Sequence, residues 1–227
     1  MTNREKNYRY LCRYTSLPFL LDILCNKRLT LVDPNSWEDK NDAYFINLYK
    51  RRAKKVTVLA LCFFQYTSPG VEKYLHWKAY AGNISGVSIL FYKEKLLKYL
   101  INIKDIYYRP VNYLSYSDLN NSVQEREWTE LPYIKRLAFS SDNEFRILYE
   151  SKIFTDQIKY IDIGLDCIKK ITLNPWLIYS SNESIYKVLK IIDGCQNISF
   201  ATTKMLNYKK WQLLGDQISK RSQSIIN

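Results

Sequence analysis

The spacing of hydrophobic and polar residues along the chain predicts short strands separated by short helices. Val56 to Phe64 is an unbroken apolar run of strand length, β-branched at its start, which is typical of a central strand buried on both faces. Helical spacing instead marks Leu17 to Lys27, in which residues 17, 20, 21 and 24 share one face. Ser16 and Pro18 suit the first turn of that helix.

The same criteria predict the remaining elements. We expect strands at Tyr8–Tyr14, Leu29–Val32, Gly86–Tyr92, Ile106–Leu114, Asn143–Tyr149, Ile158–Ile163, Ile168–Leu173 and Ile198–Thr202. We expect helices at Val71–Tyr80, Lys93–Leu100, Ser122–Phe139 (whole or broken at Pro132) and Ser184–Ile192. Pro110 places its strand at a sheet edge or a bulge. Many strands without a regular strand–helix alternation predict an α+β fold, and the lack of repeats and linkers predicts a single domain over residues 1–227.

Composition narrows the class of protein. The chain is 47% hydrophobic and 15% aromatic, which is enough for a core and excludes a disordered chain. Its longest apolar stretch is too short to cross a bilayer, and the N-terminal residues lack the apolar segment of a secretion signal. These features predict a soluble, cytoplasmic protein with no membrane partner.

Residue counts exclude several kinds of site. The single histidine, His76, excludes zinc sites with two or three histidines, and any Ser-His-Asp triad would have to use it. We expect His76 to be a surface or structural residue. The five scattered cysteines indicate reduced, mostly buried thiols, and the six glycines form neither a dinucleotide-binding fingerprint nor a P-loop.

A net charge of +12, from 34 Lys and Arg against 22 Asp and Glu, favours a polyanionic partner such as RNA or single-stranded DNA. The alternative is a solvated basic face in a chain with AT-rich coding bias. A second basic group lies near the C-terminus, at Lys204, Lys209, Lys210, Lys220 and Arg221. The densest cluster predicts four nucleic-acid-binding residues, Arg51, Arg52, Lys54 and Lys55.

Two motifs in the first part of the chain combine charge with a turn or strand end. In Arg13-Tyr14-Thr15-Ser16, the guanidinium could clamp a diphosphate and Thr15 could bind a ribose, or the segment could be an ordinary helix start. Asp39 and Asp42, which follow a turn, could bind a cation, orient a ribose or fix the loop by hydrogen bonds. The structural role is the commoner one for each motif.

Two further motifs lie on a predicted helix and a predicted strand. Trp77 and Tyr80 are one helical turn apart and could stack on a planar ring, although such a pair is more often core. Glu144 and Arg146 share one face of their strand, where a carboxylate beside a guanidinium is either a salt bridge or a reactive site.

Taken in order, these motifs resemble a widespread bacterial family of uncharacterised proteins over about residues 8–178. Its members share a K/R-Y-[RT]-S strand, an F-N-D-P-F-[DE] loop, a W-x-x-Y helix and a late E-x-E-[YFW]-R-[IL] strand. Here Lys40 replaces the loop proline, and Asp142 is the acid two residues before Glu144.

The same outline is similar to the DarT-type ADP-ribosyltransferases, which modify nucleic acid. Arg13 stands where those enzymes have a histidine, and the strand around Glu144 matches the one that carries their catalytic glutamate. The resemblance implies a mostly antiparallel, split sheet over about residues 8–205 with a basic C-terminal tail. It also implies a mono-ADP-ribosyltransferase that uses NAD and no metal, acts as a toxin or phage-defence effector, and needs a neutralising partner protein.

By this resemblance Glu144 is catalytic and Arg146 contacts the nucleic acid. The implied NAD-binding residues are Arg13, Tyr14, Thr15, Asp39, Asp42, Trp77 and Tyr80. Two alternatives stay open: a metal-dependent nuclease using Asp39 or Asp42 with Glu144, and a non-catalytic nucleic-acid-binding module.

Overall fold

Eleven strands and seven helices occur in the part of the chain that the computed structural model describes, residues 7–69, 72–153 and 157–223. The strands are β1 (Tyr10–Ser16), β2 (Arg28–Val32), β3 (Thr57–Tyr66), β4 (Gly86–Tyr92), β5 (Ile106–Pro110), β6 (Asn112–Leu114), β7 (Ile134–Arg136), β8 (Glu144–Ser151), β9 (Ile158–Asp162), β10 (Ile168–Leu173) and β11 (Ser199–Thr202). The helices are α1 (Leu17–Asn26), α2 (Lys40–Arg52), α3 (Tyr74–Tyr80), α4 (Lys93–Leu100), α5 (Tyr116–Ser122), α6 (Tyr179–Ile191) and α7 (Lys209–Gln223).

Nine of these strands form one mixed sheet. Its order is β11-β10-β4-β1-β3-β2-β9, with β8 paired to β3 and β5 paired to β8. Every pair in this sheet is antiparallel except β10 with β11, while β6 and β7 form a separate parallel pair. The predicted α+β class with a mostly antiparallel sheet and flanking helices is confirmed.

The sheet is split beside β3. One edge of β3 pairs with β8 along its length, from Thr57 opposite Ser151 to Phe64 opposite Glu144. On the other edge β1 pairs with the last part of β3, as far as Cys12 opposite Phe64, and β2 pairs only at Ala60. Among the described residues, β1 and β2 therefore leave positions 61 to 63 of β3 without a strand partner on that edge.

Helices cover both faces of the sheet. The larger core packs Leu61 and Phe63 of β3 against α1, α4 and α6. The opposite face carries the alternate residues of the same strand, and α2 and α3 cover it through Ile46 and Trp77. This two-residue alternation is the reason that the apolar run of β3 is buried on both sides, as the sequence predicted.

Two predictions of secondary structure were wrong. The segment Ser122–Phe139 is not one α-helix: after the last residue of α5 it contains short 3-10 helices, then β7 and the start of another 3-10 helix. Pro132 cannot donate a backbone hydrogen bond, and Tyr133 and Ile134 next to it are buried instead of continuing a helical face. The predicted strand Ile106–Leu114 is two strands, because β5 ends at Pro110 and pairs with β8 while β6 pairs with β7.

Helices α2, α5 and α7 were not predicted, and α3 begins later than expected, at Tyr74. The N-terminal residues 1–6 and Val71, used in the sequence-based predictions, lie outside the described residues. Within the described segments no helix has both the length and the apolar character that a bilayer span requires.

Candidate active site

A buried cluster of charged side chains lies where β8 begins. Arg146 is 0% exposed, and its guanidinium binds both oxygens of Asp42, at 2.8 Å to Oδ1 and 2.6 Å to Oδ2. The same guanidinium donates to Oε1 of Glu144 at 2.8 Å and to the carbonyl oxygen of Pro132 at 2.6 Å. Arg146 therefore joins the carboxylate of Glu144 to that of Asp42, which lies 104 residues before Arg146 in the chain.

Local structure explains how the two carboxylates reach the guanidinium. Asp39 caps α2 by accepting hydrogen bonds from the backbone N–H groups of Asn41 and Asp42. The cap starts α2 so that Asp42, in its first turn, is buried at the sheet. On β8, residues two apart share a face, which places Glu144 beside Arg146.

Lys135 and Asp142 extend the cluster toward the surface. The ammonium of Lys135, on β7, lies 3.1 Å from Oε2 of Glu144 and 3.4 Å from Oδ2 of Asp142. Asp142 also accepts a hydrogen bond of 2.8 Å from the hydroxyl of Tyr80. The cluster thus has three acids and two bases, and its outer end is the partly exposed ring of Tyr80.

The charges of the cluster set its protonation. Burial alone would raise the pKa of Glu144, but Arg146 and Lys135 outweigh burial and lower it to about 2. Burial alone would lower the pKa of Lys135, but Glu144 and Asp42 raise it. Glu144 and Lys135 are therefore both charged at physiological pH. Burial raises the pKa of Asp42, which Arg146 opposes.

Arg13 lies at the split in the sheet, where its guanidinium donates to the carbonyl oxygen of Cys62 at 3.4 Å. Cys62 is the register partner of Arg146, so Arg13 and the charged cluster are neighbours. Strand alternation nevertheless groups Arg13 with Leu11, on the face opposite Glu144. The two residues approach the split from different sides.

The other residues of the first motif are buried. Tyr14 packs edge-on against Phe64, His76 and Trp77, with ring centroids 5.1 to 5.7 Å apart. Thr15 lies on the same side of β1 as Arg13 and is 7% exposed. In this conformation the ring of Tyr14 packs in the core and is not open to a ligand.

The two aromatic residues of α3 have different environments. Trp77 is 1% exposed within a core cluster, so the sequence-based stacking role of Trp77 is corrected: both faces of its ring are covered by protein. Tyr80 is 41% exposed and packs edge-on against Phe64, with ring centroids 4.9 Å apart. Of the pair, Tyr80 is the ring that a ligand can reach.

The predicted nucleic-acid-binding residues divide into two groups. Arg51, Arg52 and Lys54 are exposed, whereas Lys55 forms a 2.7 Å ion pair with Glu150. These four residues come just before Thr57, the first residue of β3, whereas the Phe64–Glu144 pair lies toward the other end of that strand. At ~3.3 Å per residue, Thr57 and Phe64 are about 23 Å apart. The assignment of Arg146 to a nucleic-acid surface is corrected, because a fully buried guanidinium cannot contact a polyanion.

The acids proposed for a nuclease do not form a metal site. Asp39 serves as a helix cap, and the oxygens of Asp42 and Glu144 are held by Arg146 and Lys135. Cations bound to these carboxylates compete with a divalent ion for the same oxygens. In the described segments, moreover, no three His, Cys, Asp or Glu side chains are grouped as metal ligands.

Sequence reasoning missed several members of the site. Lys135 lies on a three-residue strand without a recognisable pattern, and Asp142 was noted only as a departure from a motif. His76, expected to be a surface or structural residue, is 2% exposed and therefore fits the second alternative, with Nδ1 3.0 Å from the hydroxyl of Tyr66 and Nε2 3.8 Å from Asp142. Its neighbour Trp77, a large apolar residue, was the local signal of burial.

Comparisons with known proteins give one remote likeness. No protein-family model matches the chain, and no curated protein matches it. Three solved structures of Thermus sp. 2.9 DarT resemble it, in complex with NAD+, with ADP-ribosylated ssDNA and with carba-NAD+. In that order the identities are 14%, 12% and 12%, and the TM-scores are 0.43, 0.46 and 0.42. The alignments cover 91%, 92% and 89% of this chain and 100%, 100% and 99% of the other. These values describe a remote likeness and assign no residue role in this chain.

Proposed function

We propose that the protein transfers ADP-ribose from NAD to a nucleic acid and that Glu144 is its catalytic carboxylate. The observation that carries this proposal is the position of Glu144 at the start of β8, where Arg146 and Lys135 hold its carboxylate and lower its pKa, in the same charged cluster as the exposed Tyr80. The resemblance of the sequence motifs to DarT-type enzymes supports it. DarT itself has been solved with NAD+ and with ADP-ribosylated ssDNA.

The reaction needs a fixed negative charge more than a proton carrier. When the bond between nicotinamide and ribose breaks, nicotinamide leaves as a neutral molecule with the bonding electron pair, and the ribose carbon becomes oxocarbenium-like. A preorganised carboxylate stabilises that positive charge. A nitrogen or oxygen of the nucleic acid then forms the new bond to the same carbon and releases its proton.

The contacts of Glu144 suit this role. Arg146 holds Oε1 in place and Lys135 donates to Oε2, while the thiol of Cys62 is a further hydrogen-bond partner of the carboxylate. In the proposed complex a ribose hydroxyl takes the position of the Lys135 ammonium at Oε2, and the carboxylate keeps its orientation through Arg146. Asp42 would then act on the reaction only through Arg146, as a positioning residue.

The remaining predicted residues have narrower roles in this proposal. Tyr80 would stack on the nicotinamide ring, and Arg13 with Thr15 would bind NAD across the split in the sheet. Asp39 would act through the start of α2, and Tyr14 with Trp77 through packing below Tyr80. Arg51, Arg52, Lys54 and Lys55 stay a predicted contact with the nucleic acid.

The decisive experiment is label transfer from NAD to single-stranded DNA or RNA, with and without EDTA. We expect transfer that survives EDTA and falls by about 10²–10³-fold in Glu144→Gln, the usual effect of removing one group that stabilises transition-state charge. Glu150→Gln is the matched control, because Glu150 is equally buried on the same face of β8 and is paired with a lysine.

Three results would contradict the proposal. One is equal transfer by Glu144→Gln and wild type. Another is EDTA-sensitive strand cleavage without NAD, which would indicate the nuclease. The third is nucleic-acid binding with neither reaction, which would indicate a binding module.

We further propose that this activity is toxic to the producing cell and is controlled by a neutralising partner, as the sequence resemblance implies. Expression of the wild-type chain alone should then arrest growth, whereas Glu144→Gln should be tolerated. High yields of active wild-type protein without any partner would contradict this part of the proposal.

A further inference from the structure

Tyrosine rings and ammonium groups interleave at one end of the sheet. Tyr10 on β1 and Tyr92 on β4 are register partners, with ring centroids 5.9 Å apart. The ammonium of Lys169 lies 5.5 Å from the first centroid and 4.8 Å from the second, and donates to the hydroxyl of Tyr92 at 3.2 Å. The ammonium of Lys95 lies 5.4 Å from the ring of Tyr92. We call these four residues the tyrosine–lysine patch.

A β-bulge creates this arrangement. The register between β10 and β4 shifts between Ile168, opposite Phe91, and Lys170, opposite Leu90. Regular alternation would turn Lys170 toward the larger core, but the extra residue leaves Lys169 and Lys170 both off the core face. The bulge therefore lets Lys169 lie across the tyrosine rings while Lys170 also stays outside the core. In a regular ladder one of these two lysines would face the core.

Two surface depressions meet at the patch. One of about 590 Å³ is lined by Lys27 and Asn197, and one of about 560 Å³ by Tyr8, Arg9 and Lys93; Tyr92 and Lys95 line both. The two linings together contain five basic residues, Arg9, Lys27, Lys93, Lys95 and Lys169, against two acids, Glu94 and Asp166. Two of these lysines are ion-paired, Lys27 with Asp193 and Lys95 with Asp166. The patch thus lies in a concavity formed by two adjoining depressions, in which basic residues outnumber acidic ones and aromatic rings are half-buried.

We propose that the tyrosine–lysine patch binds single-stranded nucleic acid. Aromatic rings stack on unpaired bases, and ammonium groups between them neutralise the phosphates of the same strand. A duplex would offer its phosphates but not its base faces, so the tyrosines favour a single strand. The excess of basic over acidic residues along the concavity matches a polyanion rather than a mixed-charge protein surface.

The position of the patch connects it to the proposed reaction, and this part of the inference rests on the proposed function. Tyr10 is opposite Tyr66, two residues beyond Phe64, which is opposite Glu144. The path from β8 through β3 and β1 to β4 crosses three strand spacings, and Tyr92 lies two residues further along the strands than Glu144. Together these steps place Tyr92 about 16 Å from Glu144. Arg51 and its neighbours lie at the other end of β3. A strand on the patch would therefore approach the same end of the sheet as the carboxylate.

The test is fluorescence anisotropy of a labelled single-stranded 20-mer of mixed sequence, without NAD. We expect Tyr92→Leu to weaken binding by about ten-fold through loss of stacking, and Tyr92→Phe to bind as wild type. We expect Lys169→Ala to weaken binding at low salt by roughly five-fold and to reduce the salt dependence. Lys104→Ala, which removes one exposed charge at the other end of the sheet, is the matched control.

Wild-type affinity in both Tyr92→Leu and Lys169→Ala would overturn the inference, as would loss of binding in Arg51→Ala/Arg52→Ala with Lys169→Ala unaffected. Displacement of the 20-mer by polyglutamate at equal charge would also overturn it and indicate an acidic protein partner. Because NAD is absent from this assay, failure of label transfer leaves the result intact. Label transfer that requires Glu144 without binding at the patch would refute only this inference.

Discussion

The substitution Arg146→Met, which removes the buried guanidinium, should give a protein with a much lower Tm than the wild type. In the variant Asp42, with a side chain 2% exposed, loses both charge-assisted hydrogen bonds, and Glu144 keeps Lys135 as its cationic partner. Three buried or nearly buried carboxylates then face a single ammonium. Methionine fills much of the volume, so the change tests charge rather than packing.

The expected size follows from the burial of the pair. Breaking a buried ion pair by removing one partner costs about 3–5 kcal/mol. For a chain of this size each kcal/mol lowers Tm by about 2–4 °C, so we expect a decrease of roughly 6–20 °C. Arg28→Met is the matched control, because Arg28 also pairs with an aspartate and lies over an aromatic ring, but is 28% exposed. Solvent screens an ion pair of that exposure, so its loss should change stability little.

Differential scanning fluorimetry at several pH values measures the difference in Tm between the wild type and Arg146→Met. Burial already raises the pKa of Asp42 in the wild type, against the opposing charge of Arg146. Without Arg146 that pKa should rise further and the pKa of Glu144 should rise above its unfolded value, so the variant should lose stability as pH rises. In the wild type the pKa of Glu144 is lowered to about 2, so its contribution is present above the ordinary pKa and disappears only as pH falls toward 2. The Tm difference should therefore be larger at pH 7 than at pH 4. A decrease no larger than that of Arg28→Met would refute this account of the cluster.

Two further predictions concern packing and the single histidine. In Gly86→Ala the new Cβ would lie 2.4 Å from the carbonyl oxygen of Ala81, so urea denaturation should show a loss of about 1–3 kcal/mol, whereas Gly215→Ala, with open space around it, should show none. Burial, followed by the charge of Lys73, lowers the pKa of His76 to about 4, so its NMR signals should stay those of the neutral ring down to about that pH. Because the folded pKa is below the unfolded one, this residue should cost stability as pH falls from about 6.5 to 4; titration near 6.5 would show that the ring is not buried.

Part of the candidate site could be predicted from local pattern. The alternation that places Glu144 and Arg146 on one face of a strand is a property of extended backbone, and it is present in the structure. The same holds for the central strand β3. Its apolar run is unbroken, whereas a strand with one face in solvent would alternate apolar and polar residues. The choice between a salt bridge and a reactive site could not be made, because it depends on the residues that face the strand.

Those facing residues come from distant segments. Asp42 reaches Arg146 from a helix that was not predicted, and Lys135 reaches Glu144 from a segment that was predicted to be helical. Trp77 and Tyr80 are one helical turn apart and looked equivalent, but packing of α3 buried the first and left the second open. Helical spacing alone does not say how far a face is covered.

The sequence by itself determined the class of fold, the buried central strand and the neighbouring positions of Glu144 and Arg146. These follow from backbone periodicity and side-chain polarity, which act over a few residues. The tertiary structure alone decided which carboxylate the guanidinium binds, which aromatic ring stays open and which cations share an end of the sheet with Glu144. Such choices depend on strand order and on contacts between residues far apart in the chain, and no local pattern carries that information.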